Sequence, residues 1–468
     1  MLTDGFKNWD NAGDKMTGNI QVILAAAVFL TTYAVIVSEK VHRTVVALAG
    51  AAVLGLTGLL TPEQGVEAVD FNTIGLLVGM MIIVGITRQT GVFEYLAIKA
   101  AKMSRGQPIS ILSALALVTA VLSALLDNVT TVLLIVPVTF AIAEKLRVNP
   151  LPYLIVEILT SNIGGTATLI GDPPNIMIGS ATSLGFIDFI INLTPVVVVV
   201  YVITIFILRL IYREQLTTTP ELRESLMGID ENSEIKDSAL LKKSLTVLLM
   251  TIVGFALHQY VHLESSVIAL SGASLLMLLT RDDPEHVLRF VEWPVIFFFI
   301  GLFIIVGGIE HVGIIEKLAE YSLRLTGGEV LTSGLLILWL AAVASSFVDN
   351  IPFVATMIPL IQDMGRLGAI ENLNFLWWSL SLGACLGGNG TIIGASANLV
   401  VIGMAEKRGT IISFTEFLKI GFPLMVLSII ISTAYLWAWY SYSTVMVLGA
   451  TLLVGLLLAA VLRLLSGR

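Results

Sequence analysis

Three carboxylates, Asp127, Asp172 and Asp349, stand inside long apolar stretches that contain no lysine or arginine. An aspartate costs about 3 kcal/mol at the centre of a bilayer even on insertion scales. Each must therefore bind a cation, hold a proton or face water. Their neighbours are small and polar. Ser123, Asn128, Thr130 and Thr131 surround the first, in "ALLDNVTTVLLIVP", and Ser346 and Asn350 flank the third, in "SSFVDNIPFVATMIP". Two further segments join them. "GGTATLIGDPPN" holds Gly165, Thr166, Thr168, Gly171, Asp172 and Asn175, with Asn162 just before it. "GGNGTIIGASAN" holds Gly388, Asn389, Thr391, Gly394, Ser396 and Asn398. Glycines let a solute approach the backbone, and interrupted helices present free N–H or C=O groups that suit anions and Na⁺ respectively. Ion binding is the chemistry these residues can do, with Na⁺ near Asp127, Asn128, Asp349 and Asn350. Asn175 and Asn398 are read as holding the solute. Enzymatic chemistry is not indicated: the five histidines lie at the ends of apolar runs, and one cysteine, Cys385, allows neither an intrachain disulfide nor a multi-cysteine zinc site. No cofactor is expected beyond Na⁺ or H⁺ as coupling ion.

Blander roles compete. Asp and Asn are both strong N-caps, so the Asp-Asn pairs could only cap helices, although Asn alone would cap without a charge. Gly79, Gly85, Gly301 and Gly307 could be packing notches. Glu157 is read as a structural hydrogen-bonding acid more than a proton relay. Trp377, Trp378, Trp437 and Trp439 read as interfacial anchors.

The elements that must position these residues follow from length and hydropathy. The chain has 468 residues, 56% hydrophobic and 13% charged, with mean hydropathy +0.93. Soluble domains carry about 25% charged residues, so this is a polytopic, all-α membrane protein. Residues 1–18 hold three aspartates and lack the basic start of a cleaved signal; they read as an outer tail before a retained span. Residues 19–212 form a first repeat, with spans near 19–38, 44–60 and 73–87, an amphipathic helix over 91–106 and a last span near 189–212. Residues 108–143 are too long for one ~20-residue span and too short for two, so they fold back as a re-entrant hairpin with Asp127 at its tip. Residues 151–187 form a helix broken by glycine and proline. A cytoplasmic linker, 213–243, separates this repeat from the second, 244–438, which has spans near 244–260, 266–280 and 294–309, an amphipathic stretch over 313–326, a hairpin over 330–361, a broken helix over 372–404 and a span near 417–438. Residues 439–468 add one extra C-terminal span.

The repeat is visible by subtraction. Asp127 and Asp349, Asn128 and Asn350, Gly79 and Gly301 each stand 222 apart, and Gly164 and Gly387, Asn175 and Asn398 stand 223 apart. Each half crosses five times, so the second is inverted, as in many secondary transporters. Asp172 has no partner, since Ala395 stands at its repeat position; that asymmetry marks it for proton coupling. With the N-terminus outside and the C-terminus cytoplasmic, only Lys7, Lys15, Lys317, Arg324 and Arg366 of the 26 Lys/Arg face outward. The two tips then enter from opposite faces and meet near the midplane.

"LLDNVTTVLLIVPVT", "SNIGGTATLIGDPPNIMIGSA", "DNIPFVATMIPLI" and "GACLGGNGTIIGASANLVVIGMAEKRG" resemble the ArsB/NhaD group of the ion transporter superfamily, particularly its P protein-like and arsenite permease-like branch. The resemblance covers about 19–438 and extends distantly to divalent-anion:sodium symporters. It implies a scaffold and a transport domain moving as an elevator in a homodimer, with binding at Asp127-Asn128-Val129-Thr130, Gly164 to Asn175, Asp349-Asn350 and Gly387 to Asn398. The symporters carry Ser-Asn-Thr tips; the Asp-Asn tips here argue against a dicarboxylate. The resulting expectation is an ion-coupled transporter of a small inorganic anion or oxyanion such as arsenite, in the plasma or inner membrane. The alternatives are a Na⁺/H⁺ antiporter and, in another class, an anion channel. Expected partners are lipid, the ion or anion and a second copy, with no nucleic acid. Some arsenite pumps couple to an ATPase subunit, but this chain has no Walker A pattern.

Overall fold

The computed structural model describes residues 3–38, 40–368, 370, 372–442 and 444–466, and these are helical with no strand. Met1 and Leu2 of the predicted tail, and residues 443, 467 and 468 of the extra C-terminal segment, lie outside the described residues. The first repeat begins with α1 (Thr3–Ser38), α2 (Arg43–Leu56), the short α3 (Pro62–Glu67), α4 (Phe71–Arg88) and the amphipathic α5 (Val92–Met103). Its hairpin is α6 (Pro108–Leu125) and α7 (Asn128–Leu146). Its broken helix is α8 (Leu151–Gly165) and α9 (Pro173–Ser180), and α10 (Phe186–Tyr212) closes it. The connecting segment holds α11 (Pro220–Met227). The second repeat follows with α12 (Ser238–Val261), α13 (Ser265–Thr280), the one-turn α14 (Pro284–Val287), α15 (Trp293–His311) and α16 (Ile314–Thr326). Its hairpin is α17 (Val330–Phe347) and α18 (Asn350–Arg366); its broken helix is α19 (Asn374–Gly387) and α20 (Ser396–Lys407). Then come α21 (Phe414–Ser441) and the extra α22 (Thr444–Ser466).

Among the described residues, nine helices are long and apolar enough to cross a membrane; α2 and α13 are shorter apolar helices of 14 and 16 residues. α1 runs back to Thr3, with its apolar span beginning at Asn19 as expected. One boundary differs from the sequence reading. The linker is shorter and docked: α12 starts at Ser238, Lys236 donates its N–H to the Thr90 carbonyl at 3.0 Å, and Lys102 pairs with Glu231.

The repeat symmetry extends to individual contacts. A Cβ on Gly79 would lie 2.5 Å from the Ala269 carbonyl carbon, and one on Gly301 would lie 2.7 Å from that of Ala47. Ala47 and Ala269 are themselves 222 apart. These glycines are packing notches that bring α4 onto α13 and α15 onto α2. At the ends of the same crossings, Thr44 Oγ1 donates to the Pro294 carbonyl at 2.6 Å, while its equivalent Ser266 donates its N–H to Asn72 Oδ1 at 2.9 Å. The first three spans of the two repeats thus interlock as one block, where the resemblance expects the scaffold. Hairpins, broken helices, α10 and α21 pack as the other, where it expects the transport domain.

Trp377 and Trp378 are not interfacial anchors. They are buried in α19, with Trp378 edge-on to Phe189 at 5.2 Å between ring centroids. α17, α18, α21 and the broken helix of the first repeat enclose α19, which hydropathy alone does not reveal. Trp437 is 48% exposed, as an anchor would be.

Candidate functional site

Both Asp-Asn pairs start the returning limb of a hairpin. Asp127 is the N-cap of α7, accepting from the Thr130 N–H at 2.8 Å and from the Thr130 hydroxyl. Asp349 is the N-cap of α18, accepting from the Ile351 N–H at 3.1 Å. Capping therefore belongs to both aspartates, each with one neighbouring asparagine that does something else.

Those asparagines converge on Asp172. Asn128 Nδ2 and Asn350 Nδ2 each donate to Asp172 Oδ1 at 3.3 Å. Asp172 precedes α9 but makes no cap bond with its side chain. Its carboxylate instead faces a cavity between the tips, lined also by Asp127, Glu292 and Arg43. A buried carboxylate held by two amides, one from each repeat, ties the hairpins together. Asn128 Nδ2 also reaches Asn162 Oδ1 at 3.1 Å, and Asn162 Nδ2 donates to Asn389 Oδ1 at 2.9 Å and Asn398 Oδ1 at 3.0 Å. Asn128 and its neighbours thus form one polar network across the repeat interface.

Several residues read from sequence as solute ligands are occupied otherwise. Asn175 Nδ2 donates to the Thr166 and Thr168 carbonyls at 3.1 and 2.8 Å, and Asn398 Nδ2 to the Gly388 and Thr391 carbonyls at 2.8 and 3.0 Å. Their side-chain oxygens are taken by Ser381 and Asn162. They staple the unwound backbone of the two breaks, satisfying carbonyls that the helices no longer use. Thr166, Thr168, Thr391, Ser123 and Ser346 spend their hydroxyls on backbone carbonyls as well. Gly171 and Gly394 make room for the hairpins: a Cβ there would lie 2.5 Å from the Ser123 carbonyl oxygen and 2.7 Å from that of Ser345. Gly165 and Gly388 face those same breaks, a Cβ on Gly165 lying 2.5 Å from the Gly171 carbonyl oxygen and one on Gly388 3.1 Å from the Ala395 Cβ. Near the first tip, two buried oxygens have no partner, Asn128 Oδ1 and Thr131 Oγ1. Such atoms are costly unless something binds them.

One expectation is overturned. Asp349 does have a basic partner, Arg43, whose Nη1 donates to Asp349 Oδ2 at 2.6 Å and also to the Ser396 hydroxyl. Ser396 in turn donates to Asp349 Oδ2 at 2.6 Å. Arg43 begins α2, which is 306 residues away in sequence, so a search along the apolar run could not find it. The half-buried Glu292 was also missed. A signal for it existed: it stands 222 residues after Asp70, the N-cap of α4, so both repeats carry an acid just before their third span. Glu157 accepts from the Thr139 hydroxyl and leaves its other oxygen unpartnered.

A second, wider space lies between the blocks at the far end of α15. It measures about 340 Å³ and is lined by Asp70, Ser180, Glu310 and Gln362. The space between the tips holds about 20 Å³, the scale of a single water. The blocks are closed together at the Arg43 end and apart at the other.

Comparison with known proteins places this geometry. Residues 33–383 match the family model CitMHS, described as citrate transporter. An uncharacterized transporter of Mycobacterium tuberculosis is 43% identical over 423 residues, 89% of this chain and 98% of its own length. The P protein of Homo sapiens is 36% identical over 501 residues, 89% of this chain and 60% of that protein. The crystal structure of the Alcanivorax borkumensis YdaH transporter superposes with a TM-score of 0.55 at 14% identity, covering 91% of this chain and 99% of that one; that likeness concerns the fold. With a family model across most of its length and transporters among its relatives, the chain belongs to the CitMHS citrate transporter family of the ion transporter superfamily.

Proposed function

We propose that this transporter is a cation-coupled secondary carrier of a small anion, with Na⁺ or H⁺ as coupling ion and alternating access by movement of the transport block against the scaffold. The observation that carries the reading is the charge of the cavity between the tips: Asp127, Asp172 and Glu292 line it against the single guanidinium of Arg43, itself paired with Asp349. An anion enters such a site only after cations have neutralised it, which makes binding of the two interdependent. Asn128 Oδ1 and Thr131 Oγ1, unpartnered beside Asp127, supply oxygens of the kind Na⁺ takes. A cavity of about 20 Å³ admits a bare ion in this conformation; a larger solute needs the tips to move away from α2 and α15. Arsenite or another inorganic oxyanion fits this size better than citrate. The acid excess favours a second reading, Na⁺/H⁺ exchange on the same carboxylates with no anion carried. The orientation proposed from the basic residues puts Arg43 on the cytoplasmic side and the wider space outside, and a homodimer holding the scaffold still is the proposed assembly.

The deciding experiment is electrogenic transport in proteoliposomes across a panel of oxyanions, carboxylates and chloride, with Na⁺ and pH varied separately. Anion carriage predicts saturable uptake that an imposed Na⁺ or proton gradient accelerates. Exchange predicts Na⁺-driven proton movement with no anion present. Current that ignores opposing gradients would point to a channel and sink both.

A further inference from the structure

The two tip aspartates are repeat equivalents, yet only one of them is paired with a charge. Thr130 supplies the hydroxyl that Asp127 accepts; its repeat position holds Pro352, which has none. Pro173 stands where Ser396 stands in the other half, and Ser265 where Arg43 stands. The second tip therefore has a carboxylate oxygen and a hydroxyl oxygen on the transport block, Asp349 Oδ2 and Ser396 Oγ, both held by one guanidinium that belongs to the scaffold. Arg43 is itself steadied there, its Cζ 4.8 Å above the Phe298 ring of α15. Two oxygens converging on one positive charge is the arrangement a small cation would take.

We infer that Arg43 is a tethered counter-cation: it fills the cation position of the second tip from the scaffold, so that a cation binds Asp349 and Ser396 only by releasing the transport block from α2. This rests on the cation-coupled reading above and adds to it a lock. The empty carrier is fastened at one end by its own arginine, and arrival of the ion unfastens it. The first tip has no such tether, so its cation site is open in the same state. Two sites alike in sequence thereby bind in a fixed order, the first tip before the second. Tyr33 of α1, whose hydroxyl donates to the Pro352 carbonyl at 2.8 Å, lies on the same contact and would part with it.

The test is cation titration of detergent-purified protein by thermal shift, with NaCl against choline chloride at fixed pH, and separately with pH varied in choline. Arg43→Gln vacates the position, so half-saturating Na⁺ or H⁺ should fall about tenfold or more, equivalent to ~1.4 kcal/mol. Arg43→Lys, which keeps a charge but not the planar fork, should fall between Gln and wild type. The gain must vanish in Arg43→Gln/Asp349→Asn. If Arg43→Gln does not fold, Phe298→Leu removes the ring that steadies the same guanidinium and leaves both oxygens of the site in place, so it should tighten cation binding in the same direction by a smaller factor. Unchanged half-saturation in a folded Arg43→Gln or Phe298→Leu protein, or a gain that survives loss of Asp349, overturns the inference. These outcomes are separate from the transport result. Unchanged titrations with ion-coupled flux would remove the tether and keep the carrier. Tightened titrations with ion-independent flux would keep the tether and remove the coupling.

Discussion

The two hairpin tips begin with the same two residues and end in different states. Asp127 is satisfied within its own turn by Thr130, whereas Asp349 reaches out of its hairpin to Arg43 on another helix. Asn128 and Asn350, by contrast, do the same thing, each donating to Asp172. In an inverted repeat, then, the equivalent asparagines carry the shared task and the equivalent aspartates have parted. Symmetry identifies where a site is, and departures from symmetry identify what each half of it does.

Five variants break or sharpen that comparison. Asp172→Asn strikes what the tips share. It removes an acceptor of two buried hydrogen bonds, each worth about 1 kcal/mol, and leaves two amide donors facing a third amide, so transport should fall by roughly an order of magnitude or more, with an unchanged elution profile. Retention of wild-type uptake would show that the tips need no common anchor. Next, Asp349→Asn and Asp127→Asn should separate. The first leaves the partly buried Arg43 without its charge and should cost about 1.5–3 kcal/mol. The second keeps a good cap and should cost under about 0.5 kcal/mol. Denaturant unfolding of both proteins side by side reads the difference, and equal losses would erase the distinction between the tips.

Glu292 adds a pH dependence. Burial pushes its carboxyl up to about 7, with the Asp127 charge adding to the rise and Arg43 opposing it. It is therefore neutral below that pH and charged above it, so cation affinity should strengthen, and anion affinity weaken, as pH rises through 7. Glu292→Gln should flatten the inflection near 7 in a Na⁺ titration. A smaller effect than the loss at Asp349 belongs to Thr130→Val, which removes one hydroxyl from the first tip and should cost about 1 kcal/mol, with no change at the second.

Much of this was legible in the sequence because apolar length constrains so strongly. A run of 36 residues, 108–143, allows little but a hairpin, and the structure turns it at Leu126 and Asp127. The break at 166–172 was announced by glycines and prolines, and the one at 388–395 by glycines alone. The roles of the polar residues around them were not legible. Whether Asn175 faces a solute or staples the Thr166 carbonyl depends on side-chain direction inside a break, where no helical period applies. Arg43 was hidden for a different reason. Its sequence neighbours are a loop and an ordinary short helix, and only the crossing of α2 with α15 carries it to the tip of α18. Trp378 was misplaced because hydropathy cannot tell a lipid-facing aromatic from one enclosed by other helices.

Ala395 has a consequence for how the duplicated chain was made usable. By the repeat symmetry, an aspartate at 395 would meet the same two amides that already hold Asp172. Asn128 and Asn350 have few hydrogens to share, and two adjacent anions would compete for them at a depth where neither is hydrated. The alanine methyl at 395 leaves both amides to a single acid, so one carboxylate placed off the symmetry of the repeats can fasten both halves at once.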